Sequence, residues 1–335
     1  MAFLRKLLFP FAVLYGAIMR LRNYFYDKGW LKSMSFDIPI IAVGNLSVGG
    51  TGKTPMIEYL IEILKDDYQL AVLSRGYGRK TKGYRTVEVD SLAIDVGDEP
   101  LQLKQKYPAV EVAVCEARKN GIPKLQKRSE VILLDDAFQH RSVKASRYIL
   151  LTAFDDLFIN DHILPMGNLR ESRKGAKRAD LIVVTKCPPK VPYATLQKIE
   201  FVMPIQEYQK IYFSSIGYDD RIYGVSESQP LSYLKDKPFL LVTGIAKSAP
   251  LVAHLRSMGL DFEHQNYKDH HNFTSEDINR LKKEELILTT EKDYVRLYPK
   301  LEKFAMYYLP IKTKILKDQE LFFEETIRQM IRRAR

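Results

Sequence analysis

The eight residues Ser47, Val48, Gly49, Gly50, Thr51, Gly52, Lys53 and Thr54 combine three glycines with a lysine and a terminal hydroxyl. Glycines let successive backbone N–H groups turn inward around phosphate oxygens without Cβ clashes. A helix starting at the end of such a loop adds partial positive charge. Lys53 is then placed to reach the β- and γ-phosphates of a nucleotide, and Thr54 to put its hydroxyl on magnesium. The strict pattern G-x-x-x-x-G-K-[ST] is broken at Ser47, and Pro55 follows the threonine. Neither departure removes the site. The first position sets the turn's entry, and a first-turn proline gives up no intrahelical bond.

A phosphate loop of this kind needs a carboxylate at a neighbouring strand end to organise the metal. EVILLDD (130–136) supplies Asp135 and Asp136 after four apolar residues. Either could touch the ion, directly or through water. Guanine-reading loops carry N-K-x-D after a later strand. Here VVTKCPP (183–189) has cysteine and proline after the lysine, so adenine is favoured and ATP is the expected nucleotide.

Three further clusters are richer in special residues than a scaffold requires. SRGYGRK (74–80) sets Arg75 and Arg79 around two glycines and Tyr77; GDEP (97–100) puts Asp98 and Glu99 in a turn. LPMGNLRESRKGAKR (164–178) is a basic loop with Arg170 and Arg173. Taken one at a time, each reads as solvated loop charge.

The elements that must position these groups follow from hydropathy. Apolar, β-branched runs at 38–45, 69–74, 110–114, 130–136, 147–153 and 180–186 read as strands buried on both faces, and 55–67 as an amphipathic helix. Such alternation predicts a doubly wound α/β sheet, a P-loop NTPase-like α/β/α sandwich over 33–212. Residues 187–235 change in texture, and a linker with a possible β-ribbon is placed at 213–236. Strand-like runs at 239–244, 286–290 and 304–310, with helices near 249–258 and 275–284, predict a second, smaller α/β domain over 237–335. Its closing stretch, from 321 to the end, reads as an amphipathic helix.

The chain of 335 residues has a formal net charge of +11, which points to an anionic partner. No zinc-finger spacing, basic heptad region or ribonucleoprotein motif is present, so no nucleic acid is expected. Cys115 and Cys187 are too few for a disulfide framework or zinc cluster and read as packing residues. The uncharged run 7–19 is too short to span a bilayer and contains Pro10. Arginines, lysines and aromatic rings flank it. Residues 1–32 therefore read as a helix lying on an anionic membrane surface, with a core-packed helix as the alternative.

SVGGTGKTP, SRGYGRK, GDEP, LLDDAFQH, LPxGxLRE, VVTK, DHHNFT (269–274) and TEKD (290–293) occur in the order found in tetraacyldisaccharide 4'-kinases. The chain resembles this family of Gram-negative lipid A biosynthesis enzymes over nearly its whole length. The resemblance implies two α/β/α domains joined by a β-ribbon with ATP between them. It implies Asp98 as catalytic carboxylate with His270 as partner, His271 being the adjacent rival, and Glu99, Asp135 and Asp136 organising Mg2+. Arg75, Tyr77, Asn168 and Arg170 fall in acceptor-contacting segments. The implied acceptor is an acylated disaccharide 1-phosphate lipid, met by a monomer at the cytoplasmic face of the inner membrane. A soluble small-molecule P-loop kinase and a membrane-positioning ATPase are the alternatives.

Overall fold

The computed structural model describes residues 5, 7–224, 227–269, 271–301 and 304–334. It begins with helix α1 (Phe9–Asp27). There follow β1 (Ile40–Asn45), α2 (Lys53–Leu64), β2 (Leu70–Ser74), β3 (Arg85–Thr86), α3 (Ala93–Val96) and α4 (Asp98–Lys106). Next come β4 (Glu111–Val114), α5 (Arg118–Leu125), β5 (Val131–Leu134), β6 (Arg147–Ala153), β7 (Leu181–Thr185), α6 (Tyr193–Val202) and β8 (Lys210–Tyr218).

These strands form a large sheet in the order β8-β7-β6-β1-β5-β2-β4-β3, parallel except for the edge strand β3. Alternation along each strand sends apolar side chains to both faces. Ile41 and Val43 pack with Ile57, Leu60 and Leu64 of α2, while Ile40 and Ala42 pack with Ile122 and Leu125 of α5. Helix α6 lies inside the stretch that sequence reading treats as irregular. Strands β7 and β8 are parallel neighbours, and a parallel pair requires a crossover of that kind.

The chain then enters a smaller sheet through β9 (Arg221–Tyr223) and β10 (Ser228–Pro230), continuing with β11 (Leu240–Thr243), α7 (Ala249–Ser257) and β12 (Glu263–Asn266). Helix α8 (Ser275–Leu281), β13 (Ile287–Thr290), α9 (Glu291–Leu297) and β14 (Met306–Leu309) complete it. Its order is β10-β9-β14-β13-β11-β12, with β14, β13, β11 and β12 parallel.

The last segment does not stay with this sheet, as the 237–335 boundary would have it. Strand β15 (Ile311–Ile315) pairs antiparallel with β8 on the large sheet, and α10 (Glu320–Arg332) buries Phe323, Ile327 and Ile331 against that sheet's core. Strands β8 and β15 thus form a two-stranded connection between the sheets. Both cysteines are buried and unpaired, as packing residues should be.

Candidate active site

The loop at 45–54 lies between the end of β1 and the start of α2, in the strand–loop–helix setting that its glycines anticipate. Gly49 and Gly52 have φ of +112° and +84°, a left-handed region that other residues enter at a cost. Gly52 caps α2, so Pro55 falls within the first turn, where no N–H is needed. Ser47 is buried, bridged to Leu169; the Val48 N–H donates to Asn168 O at 2.8 Å and the Arg170 N–H to Leu46 O at 2.7 Å. The basic loop and the glycine loop are therefore laced together.

The VVTK segment takes a part that base recognition alone would not suggest. Thr185 Oγ1 donates to Thr51 O at 2.7 Å, and Lys186 Nζ donates to Gly50 O at 2.5 Å. They clamp the loop from behind.

At the end of β5 the two aspartates diverge. Asp136, at φ +45°, lies 3.8 Å from Lys53 Nζ and accepts from Arg170 Nη1 at 3.1 and 3.2 Å. Asp135 is buried and accepts from Ser74 Oγ at 3.1 Å, while its Oδ1 has no hydrogen-bond partner among the described residues. Burial, then the charges of Glu99 and Asp136, push the Asp135 carboxyl up to about 7 against the pull of Lys53 and Arg118. Among the described residues no group of three or more His, Cys, Asp or Glu forms a ready metal cage.

Asp98 and Glu99 open α4. Gly97 precedes them at φ +95°, and a Cβ there would lie 3.1 Å from Tyr77 O, so the SRGYGRK loop rests on the GDEP turn. Asp98 Oδ2 lies 3.7 Å from Arg296 Nε of α9. A cavity of ≈ 180 Å³ lies between the two sheets, lined by Thr54, Glu58, Glu99 and Gln102 on one side and Thr290, Glu291 and Lys292 on the other.

Of the remaining expected acceptor contacts, Arg75 is exposed and close enough for its charge to weigh on Arg118. Tyr77 is 81% exposed. The Asn168 side chain accepts from Arg5 Nη1 at 3.2 Å. His270 lies outside the described residues. His271 pairs with Asp277 at 2.9 Å, stacks on Tyr267 and is tied into the cap of α8, which makes it a structural residue.

Four residues were given no role by sequence. Arg118 is buried and donates to Asp135 O at 2.8 Å. Gln139 donates to Asn45 O and Glu171 Oε1; Glu171, 1% exposed, also holds Arg178 and Asn23 of α1. Gln139 and Glu171 sit within LLDDAFQH and LPxGxLRE and Arg296 falls three residues past TEKD, whereas no motif marks Arg118. Helix α1 docks on this same loop, with Tyr15 Oη donating to Arg170 O at 2.9 Å and Arg22 to Gln139 O at 3.1 Å.

A model of the tetraacyldisaccharide-1-P 4'-kinase family, LpxK, matches residues 4–332. The chain is 50% identical to the tetraacyldisaccharide 4'-kinase of Flavobacterium psychrophilum, covering 98% of this chain and 97% of that one. It is 49% identical to that of Flavobacterium johnsoniae, covering 96% of each. Among solved structures, an "apo" form of LpxK from Aquifex aeolicus in complex with ATP superposes with a TM-score of 0.80 at 32% identity, covering 98% of this chain and 99% of that one. The phosphate loop, the paired aspartates and the basic loop laced to them thus occur in a chain that belongs to the tetraacyldisaccharide 4'-kinase family.

Proposed function

We propose that this chain transfers the γ-phosphoryl group of ATP to the 4'-hydroxyl of a tetraacyldisaccharide 1-phosphate, acting as a monomer on the anionic cytoplasmic face of the inner membrane. The observation that carries this reading is Asp136, held at once by Lys53 of the nucleotide loop and Arg170 of the basic loop. Donor and acceptor segments meet at one carboxylate.

In this reading residues 47–54 hold the ATP phosphates through inward N–H groups, and Lys53 neutralises charge on the β- and γ-oxygens. Asp98 takes the proton of the 4'-hydroxyl as its oxygen bonds to the γ-phosphorus and the bond to the ADP oxygen breaks. His270 is assigned as its partner. Arg75, Tyr77, Asn168 and Arg170 contact the acceptor. Thr54, Glu99, Asp135 and Asp136 would hold magnesium, which suits Asp135, whose Oδ1 has no hydrogen-bond partner among the described residues and whose carboxyl is raised by burial and by neighbouring charge. Magnesium takes one or two carboxylates with substrate phosphates and water, so no complete protein cage is needed. When bound, it neutralises charge on the phosphates being separated.

Membrane docking draws support from α1. One face is anchored to the basic loop, while Leu7 just before the helix and Phe11, Leu14, Ile18 and Leu21 within it form an exposed apolar stripe. No helix among the described residues is long and apolar enough to cross a membrane. Label from [γ-32P]ATP appearing on the disaccharide 1-phosphate is the expected result, and its absence with ATP-competent protein would reject the function. Asp98→Ala is expected to bind ATP normally while turnover falls roughly 10²–10⁴-fold. Full turnover in that variant would remove Asp98 from the role.

A further inference from the structure

The TEKD and DHHNFT segments contribute to a construction that the reading above does not use. Thr290 caps α9: its Oγ1 accepts the Asp293 N–H at 3.2 Å and donates to Asp293 Oδ2 at 2.7 Å. Asp293 is 0% exposed and also accepts the Gly244 N–H at 2.8 Å. A Cβ on Gly244 would come within 2.9 Å of the Asp293 carboxylate, so this approach depends on glycine.

One turn along α9, Arg296 is fastened to that scaffold by both terminal nitrogens. Nη2 pairs with Asp293 Oδ1 and lies 3.4 Å from Gly244 O; Nη1 donates to His271 O at 3.0 Å. The guanidinium also faces the Phe273 ring, 5.8 Å from its centroid. Of the five N–H groups of the guanidinium these contacts engage three, on the two terminal nitrogens, which leaves one nitrogen with no bond at all. That is Nε, buried and without a hydrogen-bond partner among the described residues, with Asp98 Oδ2 at 3.7 Å. A buried donor left unmade is costly, and the carboxylate that α4 presents stands just beyond hydrogen-bond distance from it.

We propose that Arg296 is a positioning residue for phosphoryl transfer, its Nε–H orienting the Asp98 carboxylate when the two sheets draw together by a fraction of an ångström. Shortening 3.7 Å to the roughly 2.9 Å of an ordinary N–H···O bond is all that is needed. The residue makes no contact with substrate. It transmits the placement of the DHHNFT backbone, through His271 O, to Asp98. The inference rests on Asp98 acting as the base.

The test is a double-mutant cycle on full-length protein with ATP and the disaccharide acceptor, comparing Asp98→Ala, Arg296→Ala, Arg296→Lys and the Asp98→Ala, Arg296→Ala double variant. Arg296→Ala is expected to lower kcat about 10²-fold, the scale of a misplaced catalytic group, with KM for ATP within about twofold. Arg296→Lys keeps the charge and should recover part of that loss. The double variant should turn over no more slowly than Asp98→Ala alone, because the arginine acts only through the aspartate. Losses that multiply, a changed KM at constant kcat, or a lysine variant no better than alanine would each overturn the proposal. If Arg296→Ala does not fold, Arg296→Lys combined with Asp98→Ala closes the same cycle. An active Asp98→Ala would instead reject the base assignment, so the two failures are distinct.

Discussion

At Gly97 the chain adopts φ +95° and ψ 152°, a conformation that only glycine enters readily. An added Cβ would also sit 3.1 Å from Tyr77 O, against a loop whose own glycines have positive φ. Gly97→Ala is therefore expected to cost about 1–3 kcal/mol and to shift the start of α4, where Asp98 and Glu99 stand. Turnover should fall at least tenfold while nucleotide binding at 47–54 is kept; an alanine variant with full turnover and unchanged melting would contradict this. The GDEP motif was visible in sequence, but the reason for its glycine was not, since the clash comes from a residue twenty positions earlier. The same holds for the site at large. Lys53, Thr54 and the aspartates are legible because a phosphate loop fixes types and spacing locally. Arg118 meets a partner from another element that no local pattern records, and TEKD beside Arg296 does not tell that Asp98, from the other sheet, stands 3.7 Å from it.

Helices α4 and α9 come from different sheets and pack with opposite polarity, so each end of α4 meets a charged residue of α9. At one end Asp98 lies 3.7 Å from Arg296; at the other, where Glu58 and Glu291 line the cavity between the sheets, Lys106 Nζ is 2.6 Å from Glu58 and 3.0 Å from Glu291. Gln102 adds a bond to Glu58 at 2.8 Å. Two buried carboxylates share one ammonium, and burial followed by repulsion from Glu58 pushes Glu291 up to about 8. A carboxyl raised in the docked state binds a proton there that it releases when the helices separate. Its contribution is complete below the ordinary carboxylate range and is lost as pH rises toward 8. Relative to Glu291→Gln, the wild-type melting temperature should fall by about 2 °C per pH unit between pH 5 and 8, one proton's worth for a chain of this size. Parallel melting curves for the two proteins across that range would refute the linkage. Sequence reading located most strands of the large sheet and three of the six in the smaller one, because buried parallel strands are continuous apolar runs. It passed over α9, whose opening residues read as a motif, and β15, whose alternating lysines become a strand only by pairing with β8.

Over the whole molecule, the charge of +11 and the exposed stripe on α1 bear on the same question. The stripe residues recur three and four apart, Leu7, Phe11, Leu14, Ile18 and Leu21, and so share one side. On the other side Ala12 and Gly16 are buried, and Tyr15 and Asn23 bond to Arg170 and Glu171. Packing on the protein and presenting an apolar face outward are thus not alternatives; the helix does both. Sequence could not separate the two because they divide residue by residue around one helix. A membrane seated on the stripe would place an acylated acceptor's chains in lipid next to the loop carrying Asn168 and Arg170. Removing all of 1–32 would strip that loop of its contacts, so the informative variant is Phe11→Asp with Leu14→Asp, positions 63% and 61% exposed. Burying a Phe or Leu side chain contributes about 1.5–3 kcal/mol, so losing both should weaken binding to phosphatidylglycerol vesicles by at least about 10²-fold. Turnover of a short-chain, water-dispersed acceptor should not change, since neither residue reaches the site. Vesicle binding by the double variant equal to wild type would favour a soluble kinase. Binding of wild type equally strong to zwitterionic vesicles would instead show that the apolar stripe acts without help from the basic surface.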